Sequence, residues 1–327
     1  MRPTPGVTVA LGVAWLAVAS GCGGSTDDRE AAETIAPAGA PALDLAGKPQ
    51  LLFQVFGTRD STQLIPLAAV VNGAIRPIGL TAQGWRTLDA LYFAPGARYA
   101  VYHDDADVGE VIVTHGMWSG GASPVPLPGC KAMMPIGAGT LTFKTPHSDP
   151  TVDFIASSAA LARHAPYQGR LLTEAEVAKL GRELGHAIGK KAAMDDQELD
   201  SLDFHARLIV TGATAEPTML VSFIDPGAGD VAPGAGHTSH LFVLADKPGA
   251  AYEATYRHSA SGDARAVEFR RVVDHLDLNG DGIDEIILEA WRYAAQNDLV
   301  VLSFKAGQWH EAVRVKQNWC LDAPKTR

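Results

Sequence analysis

Residues 274–288 read DHLDLNGDGIDEIIL. Asp277, Asn279 and Asp281 stand at positions 1, 3 and 5 of a run in which Gly282 falls at 6 and Glu285 at 9. Alternate oxygen-bearing side chains on a tight loop converge on one point, the glycine allows the bend, and the carbonyl of Ile283 stands where a seventh-position ligand belongs. In a helix–loop–helix calcium site a bidentate glutamate closes the loop at position 12. Here that place is Leu288, and Glu289 comes one residue late. The flanks AVEFRRVV and EIILEAW are rich in β-branched and aromatic residues and read as strands. The stretch is therefore expected to be a strand–loop–strand hairpin, which puts the C-terminal part of the chain in the β class.

Three chemical readings of the window compete. Hard oxygen donors of this number and charge suit calcium better than zinc, which prefers nitrogen and sulfur. A polar turn without an ion needs only the Asn-Gly and Asp-Gly pairs. A catalytic pair of acids would need a nucleophile or base to complete a mechanism, and the window supplies none. DLNGDGIDEIIL also resembles the calcium loop of FG-GAP and VCBS-type repeats, in which Asp, Asx, Asp and Gly are followed by an acid at the ninth place and an apolar strand. That resemblance implies structural calcium bound through the side chains of Asp277, Asn279, Asp281 and Glu285 and the carbonyl of Ile283.

Outward from this hairpin, residues 204–327 contain eight strand-like runs: FHARLIVTG, TMLVSFID, HLFVLAD, YEATYRH, AVEFRRVVDHL, EIILEAWRY, DLVVLSFK and QWHEAVRV. Eight strands suit two packed antiparallel sheets or two propeller-like blades, and are too few for a closed propeller. Residues 50–148 read as further short strands, with Asn72-Gly73 as a hairpin turn and Pro95-Gly96 between two more strands. A small barrel or sandwich is expected there. Residues 149–203 change to a helical pattern. DFIASSAALARHA precedes Pro166, and Thr173 with Glu176 forms a capping box ahead of Val177, Leu180, Leu184 and Ile188 at helical spacing. Gly181, Gly185 and Gly189 lie four apart on that helix, which points to a close packing contact. The fold class is thus mainly β with a helical insert (α+β): an N-terminal barrel or sandwich, a helical segment, and a C-terminal antiparallel β domain.

The N-terminus carries a different kind of signal. Arg2 precedes the apolar run VTVALGVAWLAVA at 7–19, which is shorter than the roughly 20 residues a membrane span needs and has the layout of a secretory signal. The run ends in ASGC at 19–22 and resembles the lipobox of bacterial lipoproteins, in which the cysteine receives a lipid and becomes the mature N-terminus. The resemblance implies a signal peptide at 1–21, a lipidated Cys22, and residence in the bacterial cell envelope. Gly23 after the cysteine is compatible with outer-membrane sorting. Ala17-Val18-Ala19 would also suit ordinary cleavage after Ala19. Lipidation of Cys22 leaves Cys130 and Cys320 as an even pair, either bridged in an oxidising compartment or buried as two free thiols. Residues 22–49, rich in Gly, Ala, Pro and acid, read as a flexible tether.

A formal charge of 27 minus 37, or −10, with no basic cluster, argues against a nucleic-acid partner. His237 and His240 are the closest histidine pair, yet H-E-x-x-H is absent and no four-ligand zinc spacing can be assembled. No G-x-S-x-G elbow or phosphate loop occurs. The expectation is a lipid-anchored, non-enzymatic envelope protein that binds or assembles with another envelope protein or a glycan. The alternative is an exported hydrolase of envelope polysaccharide or phosphoesters, with two or more of His103, His115, His237 and His240 meeting acids only in the fold.

Overall fold

The computed structural model describes residues 43–118, 134–144, 151–162, 167–226, 236–293 and 297–316. The signal segment, Cys22, Cys130 and Cys320 lie outside the described residues.

The N-terminal half closes into a six-stranded antiparallel barrel. Its strands are β1 (Gln50–Thr58), β2 (Ser61–Val71), β4 (Arg98–His103), β5 (Ala106–His115), β6 (Gly137–Phe143) and β7 (Thr151–Ser157), in the order β1-β7-β4-β5-β6-β2 with β1 pairing back to β2. A short β3 (Ala74–Arg76) extends β2 through the expected turn, where Asn72 and Gly73 both take positive φ. Side chains alternate across the wall, as a strand requires. Leu51, Phe53, Val101, Phe154 and Ala156 point inward, while Leu52, Tyr102 and Ile155 point outward. Helix α1 (Ala82–Tyr92) adds Trp85, Leu88 and Tyr92 to the interior.

The eight C-terminal runs are all strands. β8 (Asp203–Ile209), β9 (Thr218–Ile224), β10 (His237–Asp246) and β11 (Glu253–Asp263) form one four-stranded antiparallel sheet. β12 (Phe269–Leu276), β13 (Glu285–Trp291), β14 (Asp298–Lys305) and β15 (Gln308–Lys316) form another. Facing residues of the two sheets share one core, with Leu220, Phe242 and Leu244 against Ile286, Leu288, Val300 and Trp309. The opposite face of β12–β15 packs Leu276, Ile287, Leu299, Val301 and Val313 against the outer wall of the barrel. The opposite face of β8–β11 packs Met219, Val221, Phe223, Leu241 and Val243 against helix α2 (Glu174–Lys191) and helix α3 (Asp196–Asp200). Helices, sheet, sheet and barrel therefore stack as successive layers. The central strands β9, β10, β13 and β14 are covered on both faces, which is why they read as nearly unbroken apolar runs, whereas β8 and β11 alternate exposed and partly buried positions.

Three sequence expectations need correction. DFIASSAALARHA was expected to be helical, but 151–157 is β7 and completes the barrel between β1 and β4, so the barrel runs past the expected boundary at 148. The run before Pro95-Gly96, ALYF at 90–93, was expected to be the first of the two strands flanking that turn and instead ends α1, whose Trp85, Leu88 and Tyr92 follow helical spacing behind the Thr81 N-cap. The tether was expected to reach residue 49, yet Leu45 is buried in the barrel core with Leu43 packed beside it.

The capping box of α2 is present in both directions: Thr173 Oγ1 accepts from the Glu176 amide, and Glu176 accepts from the Thr173 amide. Its buried face is made by Val177, Gly181, Gly185, Ile188 and Gly189, while Leu180 is 37% exposed. The glycines explain themselves by contact. A β-carbon at Gly185 would overlap the Phe223 ring, one at Gly189 would overlap Leu199, and one at Gly181 would stand 3.0 Å from the Ala206 methyl. No described helix is long and apolar enough to cross a membrane.

Candidate functional site

The hairpin from β12 to β13 carries the buried acids Asp274, Asp277, Asp284 and Glu285 and the buried His275. Its loop is built by carboxylates turned inward on their own backbone. Asp277 Oδ1 accepts from the amides of Gly280 at 2.7 Å and Asp281 at 3.1 Å, and its Oδ2 accepts from Gly282 at 3.1 Å. Asn279 Oδ1 accepts from the Asp281 amide at 2.8 Å, and Asp281 Oδ1 from the Ile283 amide at 2.9 Å. Gly280 and Gly282 carry the two left-handed bends, at φ of 78° and 88°. Of the expected ligand residues, Asp277 and Glu285 are each 2% exposed and Ile283 packs against the core between the sheets.

Glu285 closes this loop from the first residue of β13. Its carboxylate accepts from the Leu278 amide at 3.1 Å, the Asn279 side-chain amide at 2.6 Å and the Ser303 hydroxyl at 3.1 Å, all neutral donors. Burial pushes its pKa up to about 8, and the negative charges of Asp281 and Asp277 push in the same direction against the Leu278 and Ser303 hydrogen bonds. Four oxygen-bearing side chains thus surround one loop with an excess of negative charge.

The same hairpin carries a second polar group nearer the barrel. His275 Nδ1 lies 2.7 Å from Asp284 Oδ2, and both residues are buried. Burial alone would lower the pKa of this imidazole, but the Asp284 hydrogen bond together with the charges of Asp284, Asp274 and Asp105 raises it. Asp274 is fully buried and reaches the β4–β5 turn: its Oδ1 accepts from the amides of Asp104 at 2.9 Å and His275 at 2.8 Å. Across that turn His103 Nδ1 stands 3.7 Å from Asp274 Oδ2, and His103 Nε2 stands 3.7 Å from Asp104 Oδ2. The facing carboxylate of Asp274 raises the His103 pKa above its ordinary value, against partial burial and helped by Asp104. Sequence spacing could not reveal this group, because Asp104 and Asp274 are 170 residues apart.

The other singled-out histidines take different partners. His240 is fully buried and uses both ring nitrogens structurally, with Nδ1 3.0 Å from the Phe223 carbonyl and Nε2 accepting from the Arg270 amide at 3.0 Å. Burial, aided by the neighbouring His258, holds its pKa down to about 3, so it is neutral and ties β10 to β12. His237 Nε2 lies 2.9 Å from Ser261 Oγ, a nucleophile-to-base distance, but Glu198 approaches that same nitrogen at 3.7 Å. An orienting acid would hold the other nitrogen. His115 pairs with its neighbour Thr114 at 3.2 Å. Only His103 of the four joins a cluster of acids that could hold an ion among the described residues. Trp85 and Trp309 are core residues, and Trp291 stacks on Phe269.

Compared with known proteins, the chain matches no family model, no curated protein and no solved structure.

Proposed function

We propose that this is an exported, lipid-anchored cell-envelope protein of the binding or assembly type, whose β12–β13 loop holds one structural calcium ion. The observation that carries the calcium reading is the Glu285 carboxylate, buried at 2% exposure beside Asp277 with only neutral hydrogen-bond donors. A buried carboxylate group without a countercharge is costly, and a divalent ion among oxygen donors supplies that charge. The spacing Asp277, Asn279, Asp281, Ile283, Glu285 and the loop's likeness to FG-GAP and VCBS repeats support the same assignment. The ion's job is to lock the hairpin that spans the two neighbouring layers, with Leu278 packed toward the barrel and Ile283 toward β8–β11.

The anchoring part rests on the apolar run at 7–19 and on ASGC at 19–22. An envelope protein or glycan is the partner class that fits such an address. Isothermal titration of the full chain with calcium tests the ion: one site is expected, lost in Asp281→Ala, and no heat at millimolar calcium would overturn it. Metabolic labelling with a fatty-acid analogue tests the anchor, with label expected in the wild type and absent from Cys22→Ala.

A further inference from the structure

We propose that His103, Asp104 and Asp274 hold a divalent first-row transition-metal ion at the seam between the barrel and the β12–β15 sheet. One imidazole nitrogen and two carboxylate oxygens, one from each residue, all lie within 4.8 Å of one another. Two acids and a histidine are not by themselves a site, and the decisive feature is Asp274. Its side chain is fully buried, its Oδ1 is held by two backbone amides, and its Oδ2 has no hydrogen-bond partner. The facing His103 Nδ1 is likewise a buried nitrogen with no hydrogen-bond partner.

The 3.7 Å between those atoms is too long for a hydrogen bond. It is a few tenths of an ångström wider than two donors sharing one ion require, so His103 and Asp274 close slightly on an ion at Nδ1, and the exposed Asp104 carboxylate, 3.7 Å from Nε2, swings toward it. Bonds of roughly 2.0 to 2.2 Å at tetrahedral or octahedral angles put neighbouring ligand atoms about 3.0 to 3.5 Å apart. The scaffold is fixed before any ion arrives. Asp104 and Asp105 form a two-residue turn with φ of 48° and 56°, and the Asp104 amide is hydrogen-bonded to Asp274 across the seam. Two non-glycine residues in left-handed conformations are uncommon, and aspartate is among the few that tolerate them.

The donor set selects the class of ion. Calcium and magnesium take oxygen, whereas zinc and its first-row neighbours take imidazole with carboxylate. Three protein ligands leave coordination positions for water, and Asp104 at 59% side-chain exposure places them on the solvent side. Arg207 is the basic side chain that opposes positive charge at His103, while Asp105 and Asp153 add negative charge around the hairpin end. The site shares no residue with the calcium loop, so the two assignments stand or fall separately.

The test is zinc titration of the chelator-stripped full chain in saturating calcium. One zinc per chain is expected, with affinity reduced at least about tenfold in His103→Gln and in Asp104→Asn and unchanged in Asp281→Ala. Asp104→Asn keeps a residue suited to positive φ at an exposed turn, so its fold, checked by circular dichroism, is expected to be intact. Absence of zinc binding, or binding equal in wild type and both site variants, would overturn the assignment.

Discussion

The indole N–H of Trp309 on β15 donates to Asp246 Oδ2 on β10 at 2.8 Å, a hydrogen bond that runs from one sheet to the other through their shared core. Asp246 is fully buried, and the hydroxyls of Thr218 and Thr255 also donate to it, each at 2.5 Å. Trp309→Phe keeps an aromatic ring, removes this donor to the Asp246 side chain, and gives up part of the buried indole volume. A loss of about 1.5–3 kcal/mol is expected, read as a lower urea midpoint. An unchanged midpoint would show that the two threonines suffice.

Glu268 is the hub of a buried charge network. It meets Arg270 at 2.7 Å, Arg292 at 2.7 Å and Arg314 at 3.2 Å, while Glu311 also pairs with Arg270 at 2.9 Å. Arg270 is only 7% exposed, and burial holds its pKa down to about 10. Glu268→Ala strands buried positive charge and should cost about 3–5 kcal/mol. Glu268→Gln, which keeps an acceptor, should cost less. Equal, small losses for both in chemical denaturation would mean that Glu311 and Asp298 carry the arginines alone.

His240 sets a pH dependence whose sign is defined. Unfolded, the ring titrates near its ordinary value of about 6.5; folded, burial holds it down to about 3. Between those values the unfolded chain binds the extra proton, so stability that is complete above pH 6.5 is lost as the pH falls, at about 1.4 kcal/mol per pH unit. Glu285, with its raised pKa, acts in the opposite sense over part of this range. His240→Gln can still meet the Phe223 carbonyl and the Arg270 amide without titrating. The stability of wild type minus that of His240→Gln should fall between pH 6.5 and 5, and a flat difference would contradict the assignment.

The glycines of α2 separate two effects. Alanine in a helix interior gains about 1 kcal/mol over glycine. At Gly185 the new methyl overlaps the fully buried Phe223 ring, so Gly185→Ala should be destabilising by about 1–3 kcal/mol. At Gly181 the nearest atom is the Ala206 methyl at 3.0 Å, so Gly181→Ala should come out near neutral in thermal melts.

What was legible in the sequence was what local chemistry dictates. β9, β10, β13 and β14 showed as apolar runs because both of their faces are covered, and the turn at Asn72-Gly73 and the box at Thr173 and Glu176 are short-range patterns. β7 was hidden because the Ser- and Ala-rich residues after Ile155 favour a helix, whereas Val152, Phe154 and Ala156 alternate with Ile155 only once the barrel wall exists. α1 was masked by aromatic residues that read as strand, although Trp85, Leu88 and Tyr92 kept the helical period. Within the loop, the turn was readable from spacing, since Asp277 holds the amides of Gly280, Asp281 and Gly282, and Gly280 and Gly282 take the left-handed bends. The meeting of His103 with Asp274 depends on the barrel docking against β12, which no local pattern encodes.

The outer wall of the barrel has a consequence for how the chain is made. Leu52, Leu67, Tyr102 and Ile155 belong to strands that are complete by residue 157, but the surface that covers them comes from β12–β15, at the far end of the chain. A nascent polypeptide can thus close its barrel early and must then carry a greasy flank until the last four strands arrive. Such an intermediate is prone to aggregate. Truncation after β11 should therefore yield insoluble material rather than a free-standing barrel.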